Sequence, residues 1–317
     1  MCHGSGIMTL TRRFALGTLT LCLSLPLACA SEDGDTGAAE ASTTGGDGDG
    51  DGDGDGDGGQ EITLDFEARI NGAPFACGNA QGLGNAASDV DITDLRMFIS
   101  DVQLTSGDGE TVDAPIVSDD TWAQARVALL DFESSCGDAG SAGTNASFTV
   151  TVPEGTYTGV SFNLGLPFDL NHSDASSPDS AAPLNTAALF WSWQGGYKFF
   201  RLDMKVGADA TPWNVHLGST MCMSDSPVTA PESACGRPNL PRISLDYDVG
   251  ASPIVVDVGT LLGGTDLTSD AEMTPPGCLS MPPDVAECTE LFSRLGLDFE
   301  TGACADDCAG QTVFTAG

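Results

Sequence analysis

Eight of the eleven cysteines in this chain, Cys77, Cys136, Cys222, Cys235, Cys278, Cys288, Cys304 and Cys308, lie beyond residue 60. Their redox state constrains the fold more than any other feature, because disulfides hold together loops that a hydrophobic core alone does not. The amino end indicates the compartment. Arg12-Arg13 precedes an apolar run from Phe14 to Leu27, and a basic segment before an apolar run too short to span a bilayer is a secretory signal. Thr11-Arg12-Arg13 has a weak likeness to a twin-arginine export signal, and Met8 offers a second start. An even number of cysteines in an exported chain implies disulfides. Order along the chain does not choose among the pairings. We expect Cys77 with Cys136, Cys222 with Cys235, and the last four among themselves. Structural zinc is the competing use, but Cys-x-x-Cys pairs are absent and an oxidising compartment disfavours it.

Leu25-Pro26-Leu27-Ala28-Cys29 resembles a bacterial lipobox in which Cys29 would carry the lipid, although Pro26 stands where leucine is usual. Cleavage near Ala28 or Ala30 without lipidation is the alternative. Residues 30–60 hold almost no large apolar side chain, and Gly46 to Gly59 alternates aspartate with glycine. Such a stretch cannot bury enough surface to offset its ordering entropy, and like charges extend it, so it is expected to be a flexible tether. Its Asp-x-Asp-x-Asp-Gly runs imitate a calcium loop. That loop needs a bidentate Glu at the end of about 12 residues, and here the position falls on Gly58, Gln60 or Ile62. We therefore divide the chain into a signal with lipobox over 1–29, a linker over 30–60 and one domain over 61–317. The expected location is the outer membrane or cell surface.

The formal charge is −35; the linker holds ten of the acids and the leader two of the bases, leaving about −27 on residues 61–317. A surface so acidic repels nucleic acid and anionic lipid and suits cationic ligands or a basic partner.

Ile62, Leu64, Phe66, Ala68 and Ile70 alternate with polar residues up to Asn71-Gly72, the period-two signature of a half-buried strand ending in a turn. Similar runs lie at 95–104, 126–132, 147–152, 157–164, 198–206, 241–249 and 253–258. The expected fold is mainly β, an antiparallel β-sandwich stapled by disulfides. One short C-terminal helix is expected after Pro283, with Val285, Cys288, Leu291, Phe292 and Leu295 on one face and Gly296 as its stop.

After the leader only His172 and His216 remain, so any imidazole chemistry must use them. Neutral imidazole is a common ligand for copper, zinc, iron or nickel. The spacing alone fixes no site, and one solvated and one hydrogen-bonded histidine would look the same. Trp191-Ser192-Trp193 lies before Gly195-Gly196, which marks a bulge or close backbone approach; two core tryptophans are the bland alternative. Nucleophile elbows, phosphate-binding glycine loops and His-Glu-x-x-His helices are absent from the sequence. A Ser-His-Asp triad through either histidine has nothing in its favour. We expect a binding protein, not an enzyme.

Leu166-Pro167-Phe168-Asp169-Leu170-Asn171-His172-Ser173-Asp174, Pro183-Leu184-Asn185 and Phe190-Trp191-Ser192-Trp193-Gln194-Gly195-Gly196-Tyr197-Lys198-Phe199 resemble the MbnP family. So do Asp94 to Val102 and His216-Leu217-Gly218-Ser219-Thr220-Met221-Cys222. The resemblance spans roughly 61–317 and implies an exported β protein that binds a single copper ion. It also implies a partner, an MbnH-like dihaem protein of the MauG type, which oxidises a tryptophan to kynurenine at the copper site. Carried onto these motifs, the metal ligands would be His172 and His216. The oxidised residue would be Trp193 or Trp191, with Trp213 an outside candidate. Asn171, Asp174 and Gln194 are candidates for orienting the imidazoles, and Met204, Met221 and Met223 for soft assistance. The role implied is copper acquisition, storage or delivery; a metal-free interaction module of the cell envelope is the alternative.

Overall fold

The computed structural model describes residues 59–136, 140–177 and 180–317. The expected signal, Cys29 and all of the linker before Gly59 lie outside these residues. The first described strand, Gly59–Ile70, begins two residues before the expected domain start. Its alternation is realised as read, with Leu64, Phe66 and Ala68 buried and Thr63 and Asp65 exposed.

Two sheets enclose the core. The larger is organised around one 19-residue strand, Ser88–Ser106. Its first half pairs with Phe200–Val206, and its second half with Tyr157–Leu164, both antiparallel. Val127–Asp131 lines its other edge over Arg96 to Ser100. The change of partner falls where Phe98 donates to the Phe199 carbonyl and accepts from the Gly165 amide. Beyond Phe200–Val206 the sheet continues through Thr211–Leu217 to the two-residue strand Gly277–Cys278. The smaller sheet pairs Gly59–Ile70 antiparallel with Ser147–Pro153 and parallel with Ile254–Asp257, which in turn pairs with Phe314–Ala316. The sheets meet through aromatic edges: Phe162 packs against Phe66 at 5.7 Å and Phe314 at 5.6 Å between ring centroids. Such pairs prefer this edge-to-face arrangement over a flat sandwich.

The antiparallel sandwich is therefore the fold, with two short parallel pairings added. Val285–Arg294 is the expected helix, its buried face formed by Cys288, Leu291 and Phe292, and Gly296 just past its end adopts φ +74°. A second helix, Val258–Leu262, takes the end of the run read as strand over 253–258. The strand stops because the Asp257 carboxylate accepts from the Thr260 amide at 2.9 Å, a side-chain cap that starts a helix. The disulfides are Cys77–Cys136, Cys222–Cys235, Cys278–Cys288 and Cys304–Cys308: the first two are the pairs expected, and the structure chooses the pairing among the last four. Cys278–Cys288 ties the edge strand Gly277–Cys278 to the helix. Among the described residues no helix is long and apolar enough to cross a membrane.

Candidate metal centre

The site is built on a short hairpin, Phe190–Ser192 with Gly196–Tyr197. Its turn is closed by the Gly195 amide donating to Ser192 Oγ at 2.9 Å. Gly196 must be glycine: it adopts φ +74°, and a Cβ there would lie 2.3 Å from Oδ1 of Asn171. That close approach has a purpose, because the same oxygen accepts from the Tyr197 amide at 2.8 Å. Asn171, buried at the end of the short helix Phe168–Asn171, thus ties the loop carrying His172 to the hairpin carrying Trp191 and Trp193.

His172 follows directly. Its Nδ1 lies 3.1 Å from the Trp193 carbonyl oxygen. A carbonyl only accepts, so Nδ1 carries the proton and the lone pair is on Nε2. Around Nε2 are Nδ2 of Asn171 at 3.3 Å and Sγ of Cys235 at 3.5 Å. Burial pushes the imidazole below its ordinary pKa, with the Trp193 hydrogen bond acting against the shift. Burial favours the neutral ring, and a cation would take the Nε2 lone pair in place of the Asn171 amide.

His216 comes from the strand Thr211–Leu217, directly opposite Arg201. Asp203 is two residues further on the same face of the paired strand, and His216 Nε2 lies 2.6 Å from Asp203 Oδ1. Burial would raise the Asp203 carboxyl, but hydrogen bonds from His216 and Arg201 hold it well below the usual carboxylate range. Asp203 is therefore an acceptor, Nε2 carries the proton, and Nδ1 has the lone pair. That Nδ1 is buried with no hydrogen-bond partner. Burial also lowers the His216 pKa, opposed by the Asp203 hydrogen bond. A buried, unpartnered imidazole nitrogen is a donor that copper, zinc, iron or nickel accepts.

The hairpin reaches both histidines. Trp193 does so through its backbone carbonyl, at His172; Trp191 does so through its indole, whose ring centre lies 6.3 Å from that of His216. The Trp191 indole lies over Gly218, where a Cβ would come within 2.6 Å of Cζ3. Trp191 also lines a cavity of about 520 Å³, together with Gln194, Thr220, Met221, Cys222 and Met281 among others. Trp213 is on the opposite face of the strand from His216, buried in the core with its Nε1 donating to the Ser269 carbonyl. Met204 is likewise core, while Met221 faces the cavity and Met223 is exposed. Asp174 accepts from the Ser176 amide and hydroxyl.

Two participants escaped the sequence reading. Asp203 looks like one more polar residue in an alternating strand, and only the register opposite His216 reveals its role. The disulfide Cys222–Cys235 was expected, but nothing in the linear order sets it against His172. Donor atoms of His172, Cys222 and Cys235 lie within 4.8 Å of one another, the two sulfurs being joined.

Comparison with known proteins agrees with this architecture. The profile of the MbnP family matches residues 59–280. MbnP from Methylosinus trichosporium superposes with a TM-score of 0.68 at 26% identity, over 81% of this chain and 98% of that one. No curated protein sequence matches. With the family profile running from the first strand through His172, the tryptophan hairpin and His216, the chain belongs to the MbnP family.

Proposed function

We propose that this protein binds one copper ion at the cell envelope, through Nε2 of His172 and Nδ1 of His216 beside the Trp191 hairpin. The observation that carries this reading is the buried Nδ1 of His216, which has no partner although Asp203 and the strand register fix the ring. Leaving such a group unsatisfied costs about 1–3 kcal/mol, and a cation removes the penalty. Two neutral nitrogens suit Cu(I), which accepts few ligands. The metal-free alternative places the two histidines in unrelated surroundings; contact of both with one hairpin speaks for the copper reading.

Trp191 is the tryptophan we assign to oxidation. Its indole stands beside His216 and lines the cavity, whereas Trp193 reaches His172 through its carbonyl. Conversion to kynurenine would open the indole to an aryl amine, a further donor next to the imidazole. The oxidant is external, and the family resemblance assigns it to a dihaem MauG-type partner. On this reading the chain's own residues bind and orient, and the role is copper acquisition, storage or delivery. Lipidation at Cys29 would hold the domain at the outer membrane on its acidic tether, within reach of that partner.

Protein purified from its native compartment should contain one copper per chain. His172→Ala/His216→Ala should contain none, and the peptide spanning Trp191 to Lys198 should carry the kynurenine mass shift at Trp191 when the dihaem partner is co-expressed. Copper at background level in the parent protein refutes the metal site. A shift at Trp193 instead would reassign the oxidised residue.

A further inference from the structure

Nε2 of His172 points at sulfur. It lies 3.5 Å from Sγ of Cys235, whose disulfide to Cys222 brings the two Cα atoms within 4.0 Å. All three donor atoms fall within 4.8 Å of one another, the group of this kind that the described residues assemble. We propose that Cys222–Cys235 is the closed form of a second metal site: when this disulfide is reduced, Cys222, Cys235 and His172 bind a soft monovalent cation such as Cu(I).

The geometry is close to what such a site requires. With metal–thiolate bonds of about 2.3 Å and metal–imidazole bonds of about 2.0 Å, a trigonal site has nitrogen–sulfur edges of roughly 3.7 Å and a sulfur–sulfur edge of roughly 4 Å. The nitrogen–sulfur edge to Cys235 is already nearly in place at 3.5 Å, and Sγ of Cys222 lies within 4.8 Å. The sulfurs must part, a movement for which the staggered side-chain rotamers of the two cysteines offer the route. The nitrogen is committed as well: Nδ1 donates to the Trp193 carbonyl, so the lone pair on Nε2 faces the sulfurs. Without a cation, Asn171 Nδ2 at 3.3 Å satisfies that lone pair.

A path to the site is present. Cys222 lines the 520 Å³ cavity together with Met221 and Met281. These two thioethers are 58% and 43% exposed, unlike the core methionines Met97 and Met204. Soft sulfur at the mouth of a cavity that ends on a disulfide favours soft cations over hard ones.

The redox balance is simple. A dithiol reductant attacks the disulfide through a mixed disulfide, passes two electrons and two protons to Cys222 and Cys235, and leaves as its own disulfide. Binding the cation then expels both thiol protons, since thiolate is the ligand. The proposal requires neither His216 nor an oxidised tryptophan, so it stands independently of the copper reading above. It makes His172 a ligand shared between redox states, with the disulfide deciding which partners it has.

The test uses the full chain under anaerobic conditions, oxidised or treated with dithiothreitol, with alkylation and mass spectrometry reporting which cysteines are reduced. Each form is titrated with Cu(I) against a chromophoric Cu(I) chelator. We expect reduction of Cys222–Cys235 to raise Cu(I) affinity at least tenfold, with X-ray absorption showing sulfur and nitrogen neighbours. That increment should vanish in Cys222→Ser/Cys235→Ser and fall at least tenfold in His172→Ala, which keeps the disulfide and therefore controls for folding. Equal affinity in the two redox states overturns the proposal. So does an increment that survives in either variant, or a disulfide that cannot be reduced without unfolding, followed by circular dichroism. Absence of copper from the oxidised protein would count against the histidine site alone, because only the difference between redox states is read here.

Discussion

His216 donates its Nε2–H to Asp203 Oδ1 across 2.6 Å, and its other ring nitrogen is buried without a partner. The two facts are linked. An ionised carboxylate on one nitrogen fixes the tautomer, orients the ring and makes the far nitrogen a better donor. Asp203 is itself held by Arg201, which also reaches Asp94 at 3.2 Å. The residue that aims His216 is therefore anchored in the sheet and cannot follow the ring if it swings.

Replacing Asp203 should weaken copper binding without removing a ligand. Asp203→Asn can present its amide nitrogen to Nε2 and reverse the tautomer, putting the proton where copper should bind. Losses on removing such supporting groups are about 10- to 100-fold in metal affinity. Competition titration measures this directly, with thermal unfolding as the control for folding. An affinity within threefold of the parent would mean that Asp203 does not orient a ligand.

Gly218 sets the place of Trp191. A Cβ there would lie 2.6 Å from Cζ3 of Trp191 and 2.7 Å from the Tyr197 carbonyl oxygen, so the indole or the hairpin must shift. Forcing extra volume into a packed position costs about 1–3 kcal/mol. Gly218→Ala should therefore lower the unfolding midpoint and, with the dihaem partner present, reduce kynurenine formation at Trp191. A variant with unchanged stability and full oxidation would show that the close contact at Gly218 is not needed to place the ring.

Much of this was legible in the chain, for identifiable reasons. Strand 59–70 has one face buried and one wet, so hydrophobicity alternates from Ile62 to Ile70. Helix 285–294 buries one stripe, so its apolar residues recur at helical spacing. Strand 211–217 is different: His216 and Leu217 are both buried, on opposite faces, and Pro212 is its second residue, so alternation is blurred. The central strand begins at Ser88, seven residues before the run recognised, because a bulge at Thr93 breaks the alternation: Val90 and Ile92 precede it on one phase and Leu95 and Met97 follow on the other. Among site residues, scarcity singled out His172 and His216. Asp203 could not be found without knowing that Arg201 pairs with His216, since a shift of one residue would turn it to the other face.

The lipobox reading has its own test. A single acylated cysteine ahead of a long polar tether should partition the chain with membranes, and removal of the thiol should release it. Cys29→Ser should move the protein from the outer-membrane fraction to the soluble one, while copper content per chain stays the same. Membrane association that persists in the variant would assign the attachment to something other than Cys29.

The same face of this sheet carries a titrating group, in the cross-strand row His216, Arg201, Arg96, Asp131. Asp131 is buried, and burial pushes its carboxyl up from 3.8 to about 6; Ser141 and Arg96 oppose the shift and Glu133 adds to it. The sign follows from comparing the two states. Between 3.8 and about 6 the folded protein keeps a proton that the unfolded chain has already lost, so this group makes stability fall as pH rises through that window. Above it the penalty is constant, at most about 3 kcal/mol at 1.36 kcal/mol per unit. Asp131→Asn removes the charge while keeping the shape: its carbonyl can accept from the Glu133 amide and its amide can donate to Ser141 Oγ, the two partners of the carboxylate. The variant should therefore gain on the parent between pH 4 and pH 7, as measured by urea unfolding at both. Because every other titrating group is common to the two proteins, the difference isolates Asp131, and a difference that does not change with pH would show that burial does not raise this carboxyl.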